Sequence, residues 1–169
     1  ILMPALILIL IALLIYAIQL DGFMKAVDFM FYPNFEKFKS GSIIVAVGHA
    51  FFTLSIGMVT ILTYAASLDK NVNIVKASIW VVVMDTLIAI VAGLIIFSIT
   101  FTAGQEPSKG AGLVFITLPA IFYEMGTIGI FLSFLFFVAL AFAAITSAVS
   151  VLEPTVMYLI ERKNIGRKK

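Results

Sequence analysis

Four long apolar runs, each near the length a helix needs to cross a bilayer, constrain this chain more than any other feature. A hydrocarbon core takes about 20 largely apolar residues in a helix. Residues 1–20 carry no charge and stop at Asp21. Residues 41–68 are uncharged and hold one histidine, His49. Residues 77–105 hold one charge, Asp85, and residues 125–152 hold none before the apolar pattern continues past Glu153 and Pro154 to Ile160. These runs are continuously apolar and lack the two-residue alternation of barrel strands, so helices are expected. The predicted spans are approximately 1–20, 42–67, 75–103 and 126–160, in an all-α, polytopic membrane protein.

Composition agrees: 63% of residues are apolar and 12% charged, far too few charges to cover the surface of a soluble domain. With no cysteine, disulfides, thiolate metal sites and cysteine nucleophiles are excluded. A net charge of +2, scattered along the chain, gives no footprint for nucleic acid. The chain opens inside an apolar run with no basic leader, which is expected of a piece of a longer polypeptide rather than a signal peptide.

The connections differ in character. Residues 21–41 are long and mixed in charge, with a short helix expected before a turn at Tyr32, Pro33 and Asn34. Residues 68–74 are short and polar. Residues 104–125 begin with turn residues (Gly104, Pro107, Gly110, Gly112) and then become apolar, as a re-entrant or interfacial segment would. The basic tail, 161–169, carries Arg162, Lys163, Arg167, Lys168 and Lys169. With that tail cytoplasmic, the 68–74 loop is cytoplasmic too and 21–41 and 104–125 are external. Taking the polar connection as far as Lys76, seven of the eleven Lys and Arg residues then lie inside.

Polar groups within the apolar runs are the functional candidates. Thr53, Ser55 and Gly57 cluster near the middle of the second run. Either they open the helix and free backbone groups for an ion and a charged ligand, which is tolerated only beside a cavity, or they are ordinary small residues bonded back to the preceding turn. Asp85 lies roughly nine residues into the third run, where a carboxylate costs about 2.5–3.5 kcal/mol on insertion scales. It therefore faces a cation or water, or pairs with His49 or a hydroxyl. In the fourth run Ala143 precedes Thr146 and Ser147 by three and four residues, bringing a carbonyl near two hydroxyls. That set suits a hard monovalent cation, or simply packs helices through small residues. Pro154 is expected to kink the helix, with Glu153 pairing near the inner interface. His49 is either structural or proton-linked. No phosphate loop, paired catalytic acids or Ser/His/Asp arrangement is present, so no enzyme is expected.

Three stretches in register resemble the neurotransmitter:sodium symporter family, bacterial branch: Gly48 through Gly57, Gly112 through Phe122, and Ile145-Thr146-Ser147 with Glu153-Pro154. Their order and spacing match the family's fifth to eighth helices, so the resemblance covers essentially the whole chain. It implies the inverted-repeat leucine-transporter fold with one broken helix, the break matching Ser55, Ile56 and Gly57. It further implies a substrate site with Phe52 as an aromatic lid, polar contacts from Thr53 and Ser55, and Met58, Ser147 and Val151 at the pocket. One sodium would use Thr53 and Asp85; a second would use the Ala143 carbonyl, Thr146 and Ser147. The segment around Phe115 to Phe122 would match the external loop that closes the outer vestibule.

The expected function is sodium-coupled symport of an amino acid, an apolar one by the adaptable Met58, across the inner membrane of the cell. Its partners would be lipid, two sodium ions, the amino acid and the remaining helices of the same polypeptide. Family members often carry asparagine at the position of Asp85, glutamine at that of His49 and phenylalanine at that of Met58. Chloride-dependent members have a serine where this chain has Ala89, so a fixed carboxylate at Asp85 would make chloride unnecessary. Asp85 and His49 are the ion-coupling candidates. The alternative is a transport-inactive membrane sensor or scaffold that keeps the fold, and against it stand Thr53, Asp85, Thr146 and Ser147, all plausible ion ligands.

Overall fold

The computed structural model describes residues 2–32, 35, 38–66, 68–69, 71–107 and 110–163, so Pro33 and Asn34 of the expected turn and the basic residues Arg167, Lys168 and Lys169 lie outside the described residues. Those described form helices and turns. In order they are α1 (Leu2–Ile18), α2 (Phe23–Phe31), α3 (Ser40–Thr53), α4 (Val59–Ala66), α5 (Ile74–Thr102), a π-helical turn (Leu113–Thr117), α6 (Leu118–Glu124) and α7 (Gly126–Lys163). Two of these, α5 and the Gly126–Ile160 part of α7, are alone long and apolar enough to cross a bilayer; α1 with α2 makes a third candidate, bent by 109°. The second apolar run forms two shorter helices, α3 and α4, on either side of a break. Helix α7 runs through Pro154 without ending.

The chain divides into two compact units. The first comprises Ile1–Glu36 and Leu87–Ala143, and the second Lys37–Thr86 and Ala144–Lys169. Helices α5 and α7 each contribute a segment to both.

The first unit has a packed core. Leu13 and Ala17 of α1, Ile95 and Ile99 of α5, Leu118, Ile121 and Phe122 of α6, and Leu132 and Phe136 of α7 form one cluster of buried side chains. Phe122 and Phe136 meet with ring centroids 5.9 Å apart. The apolar half of the 104–125 connection thus enters this core as a π-helical turn followed by α6. Helix α6 starts favourably because Pro119 stands in its first turn, where its missing N–H has no helical partner in any case.

Helix α2 docks on α5 in the same unit. Phe29 meets Phe97 and Phe101 edge-on, at centroid distances of 4.9 and 5.5 Å, a favoured aromatic geometry. The corner between α1 and α2 is fixed at Gly22. Its N–H donates to the Thr102 hydroxyl at 3.0 Å, and that hydroxyl donates to the Ser98 carbonyl at 2.7 Å. A Cβ at position 22 would lie 2.5 Å from both the Ser98 carbonyl oxygen and the Thr102 nitrogen. Ser98 and Thr100 are fully buried, and their hydroxyls donate to carbonyls one turn back at 2.6 and 2.8 Å. Among the described residues no buried side-chain nitrogen or oxygen lacks a hydrogen-bond partner, as a helix without water requires.

The second unit is built differently. Every fully buried apolar side chain among the described residues belongs to the first unit, whereas α3, α4 and the first half of α5 leave Ile44, Val45, Phe52, Leu62, Val75 and many like them exposed. Such surface is met by lipid or by further helices. Asn73 caps α5, its side-chain oxygen accepting the Lys76 N–H at 3.0 Å.

The contact at Gly22 is with backbone, which cannot turn aside. Gly22→Ala is therefore expected to destabilise the protein by about 1–3 kcal/mol, read as an earlier thermal unfolding in detergent. An unchanged melt would show that the α1–α2 corner is not held against α5.

Candidate functional site

The break in the second apolar run is an orderly helix end. Ile56 N–H donates to the Phe51 carbonyl at 2.9 Å, and Ser55 N–H to the Phe52 carbonyl at 3.1 Å. This nested pair is the Schellman arrangement, with Ser55 in the left-handed position. Its φ is +53°, and Gly57 follows at +86°. Glycine takes that conformation freely, whereas serine does so at a cost. The chain closes the turn with Met58 N–H on the Ser55 carbonyl at 3.1 Å and begins α4 at Val59.

The cap decides which backbone groups remain for a ligand. It occupies the carbonyls of Phe51 and Phe52 once each, and Leu54 N–H bonds the Ala50 carbonyl at 3.0 Å. Among the described residues no backbone N–H bonds the carbonyls of Thr53 or Leu54. Thr53 therefore presents an open carbonyl beside its own hydroxyl. Phe52 and Met58 are exposed on either side of the turn, at 72% and 40%.

The other candidates lie on two continuous helices. Asp85 is part-exposed within α5, and among the described residues it forms no ion pair with His49, which is exposed on α3. Ala143, Thr146, Ser147 and Val151 follow one another along α7. Ser150 sits one turn after Thr146, and its hydroxyl donates to the Thr146 carbonyl at 3.0 Å. Tyr64 of α4 in turn donates to the Ser150 hydroxyl at 3.0 Å. His49, Phe52, Thr53, Ser55, Met58, Asp85, Thr146, Ser147 and Val151 all belong to the second unit, and Ala143 is the last residue of the first. The break, the carboxylate and the two α7 hydroxyls thus fall in one compact unit although they come from three separated stretches of chain.

The donor set is one of hydroxyls, main-chain carbonyls and a single carboxylate. Among the described residues no three His, Asp or Glu side chains converge as a transition-metal site would require. Hard, mostly neutral oxygens suit an alkali cation. A cavity of about 160 Å³ in the first unit, lined by Leu20, Ile99, Thr102, Ala103, Ile121, Glu124 and Met125, includes none of these residues. Ser150 and Tyr64 were not candidates from sequence. Ser150 shows a signal only as a hydroxyl one turn beyond Thr146, and Tyr64 shows none.

Comparison with known proteins now places the chain. The model of the Sodium:neurotransmitter symporter family matches residues 1–168. The chain belongs to that family, whose members are membrane transporters and not enzymes. It is 38% identical to an uncharacterized sodium-dependent transporter of Bacillus subtilis over its whole length, which is 37% of that protein. It is 34% identical to an uncharacterized sodium-dependent transporter of Haemophilus influenzae, covering 99% of this chain and 36% of that one. A sodium-dependent serotonin transporter of Drosophila melanogaster is 27% identical, over 95% of this chain and 28% of its own. The chain therefore spans a little over a third of the length of the curated bacterial relatives it matches. No solved structure gives a significant match.

The left-handed turn makes two substitutions diverge. Ser55→Gly removes the conformational cost and is expected to stabilise by about 0.5–1 kcal/mol, while Gly57→Val is expected to cost about 1–3 kcal/mol. Thermal unfolding of the purified variants reads both. Equal melting of the two variants would refute a left-handed path through the break.

Proposed function

We propose that this chain is the middle portion of a sodium-coupled amino-acid symporter of the cell (inner) membrane. The single observation that carries the reading is the capped break at residues 54–58, which leaves the Thr53 and Leu54 carbonyls open in the unit that also holds Asp85, Thr146 and Ser147. A helix interrupted in the middle of an apolar run is tolerated only where the freed groups serve a cavity or a ligand. Sequence similarity to sodium-dependent transporters supports the cation.

In this reading both the sodium ions and the amino acid are cargo. Thr53, through its carbonyl and hydroxyl, and Asp85, through its carboxylate, hold one sodium ion. The Ala143 carbonyl with the Thr146 and Ser147 hydroxyls holds the second. The zwitterion lies at the break: its ammonium meets the open carbonyls, and its carboxylate approaches the first sodium. Phe52 covers it, Ser55 and Ser147 make polar contacts, and Met58 and Val151 form the apolar wall that favours an apolar side chain. Sodium offsets the repulsion among crowded oxygens, so the occupied arrangement is favoured when sodium is plentiful. That is the physical basis of coupling: the ion binds one arrangement of the site better than the other.

Asp85 also bears on anions. Its fixed negative charge balances a bound sodium without a mobile anion, so transport is chloride-independent, and Ala89 lacks the hydroxyl a chloride would need. His49, exposed on α3, is the remaining ion-coupling candidate. The crossings near residues 1–20, 42–67, 75–103 and 126–160 place loops 21–41 and 104–125 outside, and loop 68–74 and the tail 161–169 in the cytoplasm.

The test is uptake of a labelled apolar amino acid by the full-length protein in liposomes under a sodium gradient. Thr146→Ala and Asp85→Ala are each expected to raise the half-saturating sodium concentration about tenfold or more, a change of roughly 1.4 kcal/mol. Uptake or binding indifferent to sodium in the wild type would favour a sensor or scaffold instead. Replacing chloride with gluconate is expected to leave the rate within about twofold, under 0.5 kcal/mol on the same scale. A several-fold loss would remove the anion role given to Asp85.

A further inference from the structure

The hydrogen bond from Tyr64 to Ser150 joins residues 86 positions apart in sequence and connects the helix after the break to the helix that carries Thr146 and Ser147. It is the outer half of a relay. Tyr64 donates to the Ser150 hydroxyl at 3.0 Å, and Ser150 donates to the Thr146 main-chain carbonyl at 3.0 Å. Both helices at this point belong to the second unit. We propose that Tyr64 is a positioning residue for the sodium site on α7: through Ser150 it fixes the turn from Thr146 to Ser150, and it ties that turn to α4. The inference rests on the symporter reading given above.

Three features give the relay its effect. A serine hydroxyl that back-bonds to the carbonyl four residues earlier draws on a carbonyl already used by the helix, and so perturbs the local geometry. Accepting a bond from Tyr64 polarises that same hydroxyl and strengthens its donation to Thr146, because bonds in a chain reinforce one another where water is scarce. The third feature is the break. Ser55 and Gly57, at φ +53° and +86°, separate α4 from α3, so the placement of α4 is not dictated by continuation of one helix. The phenol holds α4 at a definite distance from the turn that carries Thr146 and Ser147. Tyr64 is half exposed and part of no packed core, so its ring is not needed to hold the fold together.

The hydroxyl of Tyr64 is one atom, and removing it leaves the ring. In the full-length protein, Tyr64→Phe is expected to raise the sodium concentration that half-saturates amino-acid uptake by about three- to tenfold, in line with loss of one hydrogen bond. Thermal stability in the absence of sodium should stay close to wild type. Ser150→Ala should produce the same shift, Ser150→Thr should restore it by returning a hydroxyl, and Tyr64→Phe with Ser150→Ala should shift no further than either alone. A sodium dependence unchanged in both single variants would overturn the proposal, as would additive shifts in the double variant. A loss of stability with unaltered sodium dependence would also overturn it, by showing a purely structural bond. Sodium-independent uptake by the wild type would instead overturn the symporter reading, and this inference with it.

Discussion

A peptide group in hydrocarbon must find its partner within the protein, because no water is there to take its place. The architecture follows from that requirement. It makes the apolar runs helical, and it makes an interruption such as the one at residues 54–58 acceptable only with a cap that re-uses the freed groups. The nested bonds onto Phe51 and Phe52 do this, and they leave two carbonyls over. The same requirement governs side chains. In α5 the hydroxyls of Thr86, Ser98, Thr100 and Thr102 each bond a carbonyl one turn earlier, so polar residues sit within an apolar helix without an unmet donor.

The two compact units meet this requirement with unequal means. One holds all the fully buried apolar side chains among the described residues, and its core cluster is drawn from four helices. The other holds the break and nearly every candidate ligand, yet among its described residues no apolar side chain is buried. Its order comes from caps and hydroxyl bonds, with its apolar faces left for lipid or other helices. A region held mainly by directional bonds is easier to rearrange than a packed core, since few contacts are lost when it shifts. A transport site must alternate between arrangements, and this is the kind of region in which it can.

The helical character of the chain was plain from uncharged runs of bilayer length. Thr53, Ser55 and Gly57 crowded at mid-run left the break as one of two readings, because such residues also sit in unbroken helices with their hydroxyls bonded back, and the family resemblance is what singled it out. Its detail was not legible. That a serine rather than a glycine takes the first left-handed position depends on which residue lands after the last helical turn, and hydropathy does not register this. Pro154 pointed to a kink within a helix that runs on past it, and α7 does continue through it to Lys163. Contacts between distant segments were the least visible. Nothing along the sequence marks Tyr64 for Ser150, or Gly22 for Thr102, because each pairing is made by tertiary approach and not by a local pattern. The assignment of Thr53, Asp85, Ala143, Thr146 and Ser147 to ions came from family resemblance, and residue spacing alone left helix packing as a full alternative.

The approach of Gly22 to Ser98 and Thr102 bears on motion as well as stability. With backbone against backbone and a hydrogen bond spanning the contact, α2 has no room to roll on α5. Further along the same contact Met30 of α2 lies against Gly93 of α5, so the two helices touch closely at both places. Whatever displaces the end of α5 drags the α1–α2 corner along as a lever.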